Sequence, residues 1–179
     1  MPSIIVVDET CIQIGNKEFY LYAAICPETR GIIYFDLYPM RNYLATFSFF
    51  KVMITFYGRA PDLVVIDGGH WYLAALSRLG IKYQVVSGNI RNYIERWYET
   101  LKDRLKGFDI YFPHKKCFEH VFNWLYAFVY FYNRVMAKTM SDVNRRRHYR
   151  SVGCENVNAD KLGNIYNMCL GQISHYIFL

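Results

Sequence analysis

The sequence predicts an α/β domain built on a five-stranded mixed sheet, three antiparallel strands followed by two parallel ones, with helices on its flanks. Three observations lead there. Residues 3–38 alternate β-branched and aromatic runs with turn residues, the signature of a meander. Leu63 to Ile66 is a short unbroken apolar run ending in Asp67, Gly68 and Gly69, as expected of a central strand covered on both faces. Longer stretches of helical period separate and follow these runs, giving the order β-β-β-α-β-α-β-α.

Ser3 to Ile14 reads as the first strand and Glu18 to Ile25 as the second, joined by a two-residue turn at Gly15 and Asn16. Pro27 to Gly31 forms the next turn, and Ile32 to Tyr38 the third strand, ended by Pro39. Leu44 to Tyr57 is apolar almost all round and is expected to be a helix buried on the sheet, stopped at Gly58. After the central strand, Trp71 to Leu79 is a helix ended by Gly80, and Lys82 to Val86 the fifth strand.

Asn89 to Phe108 is the most informative helix. Ile90, Ile94, Trp97, Tyr98, Leu101 and Leu105 share one side, whereas Asn92, Glu95, Glu99 and Lys102 run along the other, with Lys106 one turn further. The polar stripe reads either as a solvated face or as a row of groups presented to a cleft. Phe118 to Val135 is a further aromatic helix. Glu119, His120 and Asn123 interrupt it early, leaving too short an apolar run to span a bilayer, so no membrane association is expected.

On this reading residues 1–112 are the core domain, 113–140 an aromatic helix packed on it, and 141–179 a basic tail of a different character. The tail opens with Arg145, Arg146, Arg147 and Arg150, a cluster suited either to gripping phosphates or to simple solvation.

Composition narrows the function. Of 179 residues, 53% are hydrophobic, 18% aromatic and 20% charged, which excludes a disordered chain and fits one core. Five widely spaced cysteines without a CxxC pair suggest neither a zinc site nor a disulfide framework, and no signal peptide is evident, so a cytoplasmic protein is expected. The net charge of +6 is lopsided. Residues 1–90 carry seven basic and seven acidic side chains, and 91–179 fourteen against eight, so the excess begins at the Glu95 helix and favours a polyanion partner.

Three carboxylates stand at the ends of core elements: Asp8 in the first strand, Asp67 after the fourth, and Glu95 on the helix after the fifth. A single Asp at a strand end is usually a turn or cap residue. If the first strand lies beside the fourth, however, Asp8 and Asp67 become neighbours, and two like charges that close need a cation or a proton between them. Magnesium or manganese, hard ions that take oxygen ligands, would meet that need. Two such ions about 3.5 to 4 Å apart suit phosphodiester chemistry.

In these residues the chain resembles the DDE transposases of bacterial and archaeal insertion sequences, most nearly the IS-six group, which share the ribonuclease-H-like fold of retroviral integrases. The resemblance rests on DET at Asp8 to Thr10, the hairpin segment NKEFYLYAAI, the Arg41-Asn42 pair, VIDGG around Asp67, NYIE followed by LKDRLKGF, and FYNRV at 131–135, so it spans residues 4 to about 136. It implies that Asp8, Asp67 and Glu95 bind two Mg2+ or Mn2+ ions, hydrolyse a terminal phosphodiester and join the freed 3′-hydroxyl to target DNA. It implies that Lys102, seven residues after Glu95, positions DNA, and that Asn92 is the Asn preceding the acid. Arg91, Arg96, Lys106 and Arg145 to Arg147 are further candidates for phosphate contacts. Double-stranded DNA, as transposon ends and as target, a homodimer on that DNA and a nucleoid-associated location are the expectations that go with it. With Asp8 so near the start of the sequence, a DNA-recognition module would be supplied separately. The 28 residues from Asp67 to Glu95 are fewer than the family usually has, and Glu99 is the alternative acid. Two other functions suit the same residues: a metal-dependent nuclease of this fold, and a non-catalytic DNA-binding remnant or regulator of a decayed transposon.

Overall fold

Hairpin chemistry sets the first half of the chain in the computed structural model, which describes residues 1–15, 17–86, 91–106 and 118–147. Strands β1 (Ile4–Ile14), β2 (Lys17–Ile25) and β3 (Ile32–Tyr38) form an antiparallel meander, with Gly15 at φ 61° opening the first turn, a left-handed conformation that glycine adopts without strain. Strand β4 (Leu63–Ile66) then pairs parallel with β1, and β5 (Tyr83–Val85) parallel with β4. The strand order is β3-β2-β1-β4-β5, so β1, the strand bearing Asp8, is central. The five-stranded mixed sheet of the sequence reading is therefore present, with antiparallel and parallel halves meeting at β1.

Helices cover both faces. On one side lie α1 (Tyr43–Tyr57) and α2 (His70–Leu79), which bury Phe49, Phe50, Met53, Tyr72 and Leu76 against Ile5, Val7, Tyr22 and Ile66 of the sheet. On the other lie α3 (Asn92–Lys106) and α4 (Phe118–Arg147), whose Ile94, Trp97, Tyr98, Leu101, Val121, Phe122, Leu125 and Val129 pack on Val6, Leu21, Ala23, Phe35 and Val65. Alternate residues of one strand thus feed two separate apolar cores, the reason the strands read as unbroken apolar runs. Burial of these side chains supplies the main driving force, on the order of 1.5–3 kcal/mol for each large one.

Local signals fix the helix ends. The Asn42 side chain accepts from the Ala45 N–H at 3.0 Å and caps α1. Gly80 closes α2 in the left-handed region, its N–H donating to the carbonyls of the last turn. The apolar stripe read on α3 is the buried one, and Glu95, Arg96, Glu99 and Lys102 are exposed. The starting positions Asn89 and Ile90, and Gly107 and Phe108 at the other end, lie outside the described residues, as does Arg150 with the rest of the chain to 179. Helix α4 differs most from the sequence reading. It continues twelve residues past Val135, through Arg145, Arg146 and Arg147. Met136 to Ser141 are exposed or half-buried and the sequence beyond Val135 carries no apolar stripe, so periodicity cannot detect this part of the helix.

Candidate active site

Parallel pairing brings the first two acids together. Val6 lies opposite Val65, so Asp8 and Asp67, each two residues on, follow in the same register toward the face that α3 covers. The turn after β4 is glycine-dependent. Gly68 has φ 90°, and a Cβ there would meet a Val85 methyl at 2.9 Å. At Gly69 a Cβ would meet the Trp71 ring at 2.8 Å, while its N–H donates to Asp67 Oδ1 at 2.9 Å and steadies that carboxylate.

The third acid is joined to the first by an arginine. Arg91, one residue before α3, donates through Nη2 to Asp8 Oδ2 at 2.9 Å and stands 3.8 Å from Glu95 Oε1, one turn along. Burial opposes the guanidinium's charge, but Asp8, Asp67 and Glu95 together outweigh it and raise its pKa further. All three predicted acids therefore act on one cation. Asp8 is 8% exposed, and burial pushes its carboxyl up while Arg91 pulls it down and the nearby Asp67 charge pushes it up again. The backbone behind it is fixed by the buried Tyr98 hydroxyl, which donates to the Asp8 carbonyl at 2.6 Å with the Leu21 carbonyl at 3.1 Å.

Arg91, a candidate for phosphate contact, has its side chain, 17% exposed, hydrogen-bonded to Asp8. The carboxylates expected to share divalent ions are not drawn into a cluster: among the described residues no three His, Cys, Asp or Glu side chains are grouped to hold an ion. The physical reason is the guanidinium, which supplies the positive charge that Asp8 and its neighbours require. The donor set still fits magnesium or manganese in kind, since Asp8 and Glu95 flank one cation, Asp67 lies close enough for its charge to act on it, and all three offer hard oxygens.

A fourth acid was missed. Glu9 points to the opposite face of β1, where the Tyr72 hydroxyl donates to Oε2 and Arg41 stands 3.6 Å from Oε1. Burial, with help from the Asp8 and Asp67 charges, raises its pKa to about 7. The signal was its position next to Asp8 in a strand covered on both sides. Asn92 is half-buried near the start of α3, and Arg96 and Lys102 are exposed on it. Lys106 is the last residue of α3, and Arg145, Arg146 and Arg147 close α4.

The sequence family accords with this geometry: a family model described as the DDE domain matches residues 3–111. The chain belongs to the DDE transposase family. An uncharacterized protein of Methanocaldococcus jannaschii is 36% identical over 137 residues, covering 76% of this chain and 64% of that protein. One from Aquifex aeolicus is 34% identical over 68 residues, covering 38% of this chain and 56% of that protein. The chain therefore spans less than two thirds of the length of each of these relatives. Among solved structures, the HTLV-2 integrase catalytic core domain in complex with magnesium superimposes with a TM-score of 0.52 at 16% identity, over 69% of this chain and 82% of that one. The simian T-cell lymphotropic virus intasome in complex with the PP2A regulatory subunit B56 gamma gives 0.55 at 15% identity, over 90% and 54%. These likenesses establish the ribonuclease-H-like fold of the DDE domain. Among the described residues, no helix is long and apolar enough to cross a membrane.

Proposed function

We propose that this DDE domain is a transposase catalytic core that hydrolyses a DNA phosphodiester and transfers the resulting 3′-hydroxyl to a target strand. The observation that carries the reading is Arg91, which donates to Asp8 Oδ2 at 2.9 Å and stands 3.8 Å from Glu95 Oε1, so that one cation links the middle of β1 to the exposed face of α3, with the Asp67 charge acting on it from the turn after β4. Asp8, Asp67 and Glu95 would hold the divalent ions, which when bound supply an activated nucleophile and stabilise the leaving oxygen.

The chain's own groups do the rest. Tyr98 and the Asp67 turn hold the two strand carboxylates in place before substrate arrives, which limits reorganisation during reaction. Arg91 compensates their charge in the free protein and, lying beside them, is placed to meet a phosphate when the acids take an ion. Lys102 is seven residues from Glu95, roughly 10.5 Å along the helix axis, too far to compete for an ion and suited to a neighbouring phosphate. The partner is double-stranded DNA, as transposon end and as target, engaged by a homodimer in a nucleoid-associated setting.

Incubating the chain with labelled duplex and magnesium or manganese tests this. Nicked and joined products should appear with the native protein and vanish with Asp67→Asn. Nicks without joining would identify the nuclease of the same fold. One observation favours a third reading, a non-catalytic DNA-binding protein: the acids are already charge-compensated by Arg91. That reading requires DNA binding with no manganese binding, and a manganese titration decides between it and the two enzymes.

A further inference from the structure

The three acids are not held alike. Asp67 is steadied by the Gly69 N–H and the Asp8 backbone by Tyr98, whereas the Glu95 side chain is 48% exposed and its ion partner Arg91 stands 3.8 Å away. Glu95 is therefore placed by the first turn of α3 more than by contacts of its own. That turn starts weakly. Arg91 occupies the capping position, its carbonyl accepting from the Ile94 and Glu95 N–H groups at 3.0 and 3.1 Å. An arginine side chain, however, has no acceptor with which to cap the first N–H groups of a helix.

Arg30, in the turn between β2 and β3, meets this weak start. Its guanidinium carbon lies 4.8 Å from the ring centroid of Tyr93, a residue of the first turn of α3 that also packs on the apolar core beneath the helix. Glu95, two residues on, is turned about 200° round the helix from Tyr93, at about 100° per residue. A ring held on one side thus fixes the direction in which the carboxylate is presented on the other.

The turn that bears Arg30 is itself well anchored. The Arg30 N–H donates to the Cys26 carbonyl at 2.8 Å, the Cys26 N–H donates to the Gly31 carbonyl at 2.9 Å, and Ile32 just beyond is bonded in both directions to Asn133 of α4. Arg30 also holds φ 57°, in the left-handed region that glycine adopts without strain and other residues seldom occupy. That strain is offset by what the side chain contacts, and its aromatic partner lies in the turn that places Glu95.

We propose that Arg30 is a positioning residue: lying over the Tyr93 ring, it fixes the first turn of α3, and with it the direction of Glu95, relative to the strand that bears Asp8. Its consequence for catalysis rests on the transposase reading; the clamp itself does not.

Amide hydrogen exchange in the full, metal-free chain reads the clamp. Arg30→Gly removes the guanidinium and the backbone strain together. In this variant exchange at the Ile94 and Glu95 N–H groups should rise about threefold to fivefold, as the loss of one exposed cation–π contact implies, while the denaturation midpoint stays at or above the native one. Tyr93→Leu should reproduce the rise, Tyr93→Phe, which keeps the ring, should not, and the Arg30→Gly, Tyr93→Leu double variant should exceed neither. In manganese-dependent nicking, Arg30→Gly should lower kcat about tenfold and leave the duplex KM within about twofold, because the direction of an acid changes and the DNA-contacting surface does not. Unchanged exchange at both amides, a rise shared equally by the amides of the sheet, or an unchanged kcat in Arg30→Gly overturns the proposal. If the native chain itself does not nick, the transposase reading fails and the exchange rates alone decide the clamp.

Discussion

Asp8 and Glu9 are neighbours on β1, and the alternation of the strand sends them to opposite faces and opposite fates. Asp8 opens toward α3, where Arg91 supplies a hydrogen-bonded positive charge and two further acids approach. Glu9 opens toward α1 and α2, where burial dominates, Tyr72 donates a neutral hydroxyl, and the carboxyl is raised to about 7. Burial raises both carboxyls; at Asp8 the charged Arg91 pulls against it, and at Glu9 the rise reaches about 7.

The sharpest way to break the contrast is on the Asp8 side. Asp67→Asn should lower metal-dependent nicking at least about a thousandfold, a loss in the range seen when a key electrostatic group is removed, while Glu9→Gln leaves it within about tenfold. Equal losses in quantitative nicking assays would erase the distinction. A smaller effect concerns stability. Because the folded pKa of Glu9 is raised from 4.5 to about 7, the folded protein holds a proton that the unfolded chain releases, so stability falls as pH rises through that window. The loss is at most roughly 3 kcal/mol, and Glu9→Gln should flatten that part of a denaturation-versus-pH curve. Asp36, raised to about 6, keeps its own contribution at the acid end in both proteins.

Next in size is Arg91→Ala, which leaves Asp8 facing Asp67 without compensation. It should destabilise the metal-free protein by about 2 kcal/mol, and manganese should restore more stability than it gives the native chain. Thermal melts with and without manganese read this directly, and an unchanged metal response would show that Arg91 serves packing alone. The smallest change is Tyr98→Phe. Losing the hydroxyl to the Asp8 carbonyl should cost about 1 kcal/mol in chemical denaturation, with manganese affinity falling only a few-fold.

Much of the architecture was legible because turn residues and apolar runs coincide with real element ends: Gly15, Gly58 and Gly80 all close elements as read. Asp67 stands where the apolar β4 run stops, as the sequence indicates, whereas Asp8 lies in the middle of β1, beside the turn only through the parallel pairing of Val6 with Val65. Arg91 was not legible. It precedes the first helical turn, where a stripe argument has too few residues to assign a direction. Glu9 was hidden because a strand with two buried faces gives no polar side by which to judge a polar residue. The full reach of α4 escaped because the sequence after Val135 carries no apolar period to read.

Asn133 of α4 donates through Nδ2 to the Ile32 carbonyl and accepts from the Ile32 N–H through Oδ1, both at 2.8 Å, on the outer margin of β3. Its side-chain amide stands where the peptide group of a sixth strand would stand. The sheet is therefore terminated there by a residue 101 positions away in the chain, and a foreign strand seeking to extend the ladder must first displace a partner that satisfies the same donor and acceptor. Asn133→Leu would leave that pair unsatisfied and open the margin, so this substitution, far from the acids, is expected to convert a self-limiting sheet into one prone to edge-to-edge aggregation.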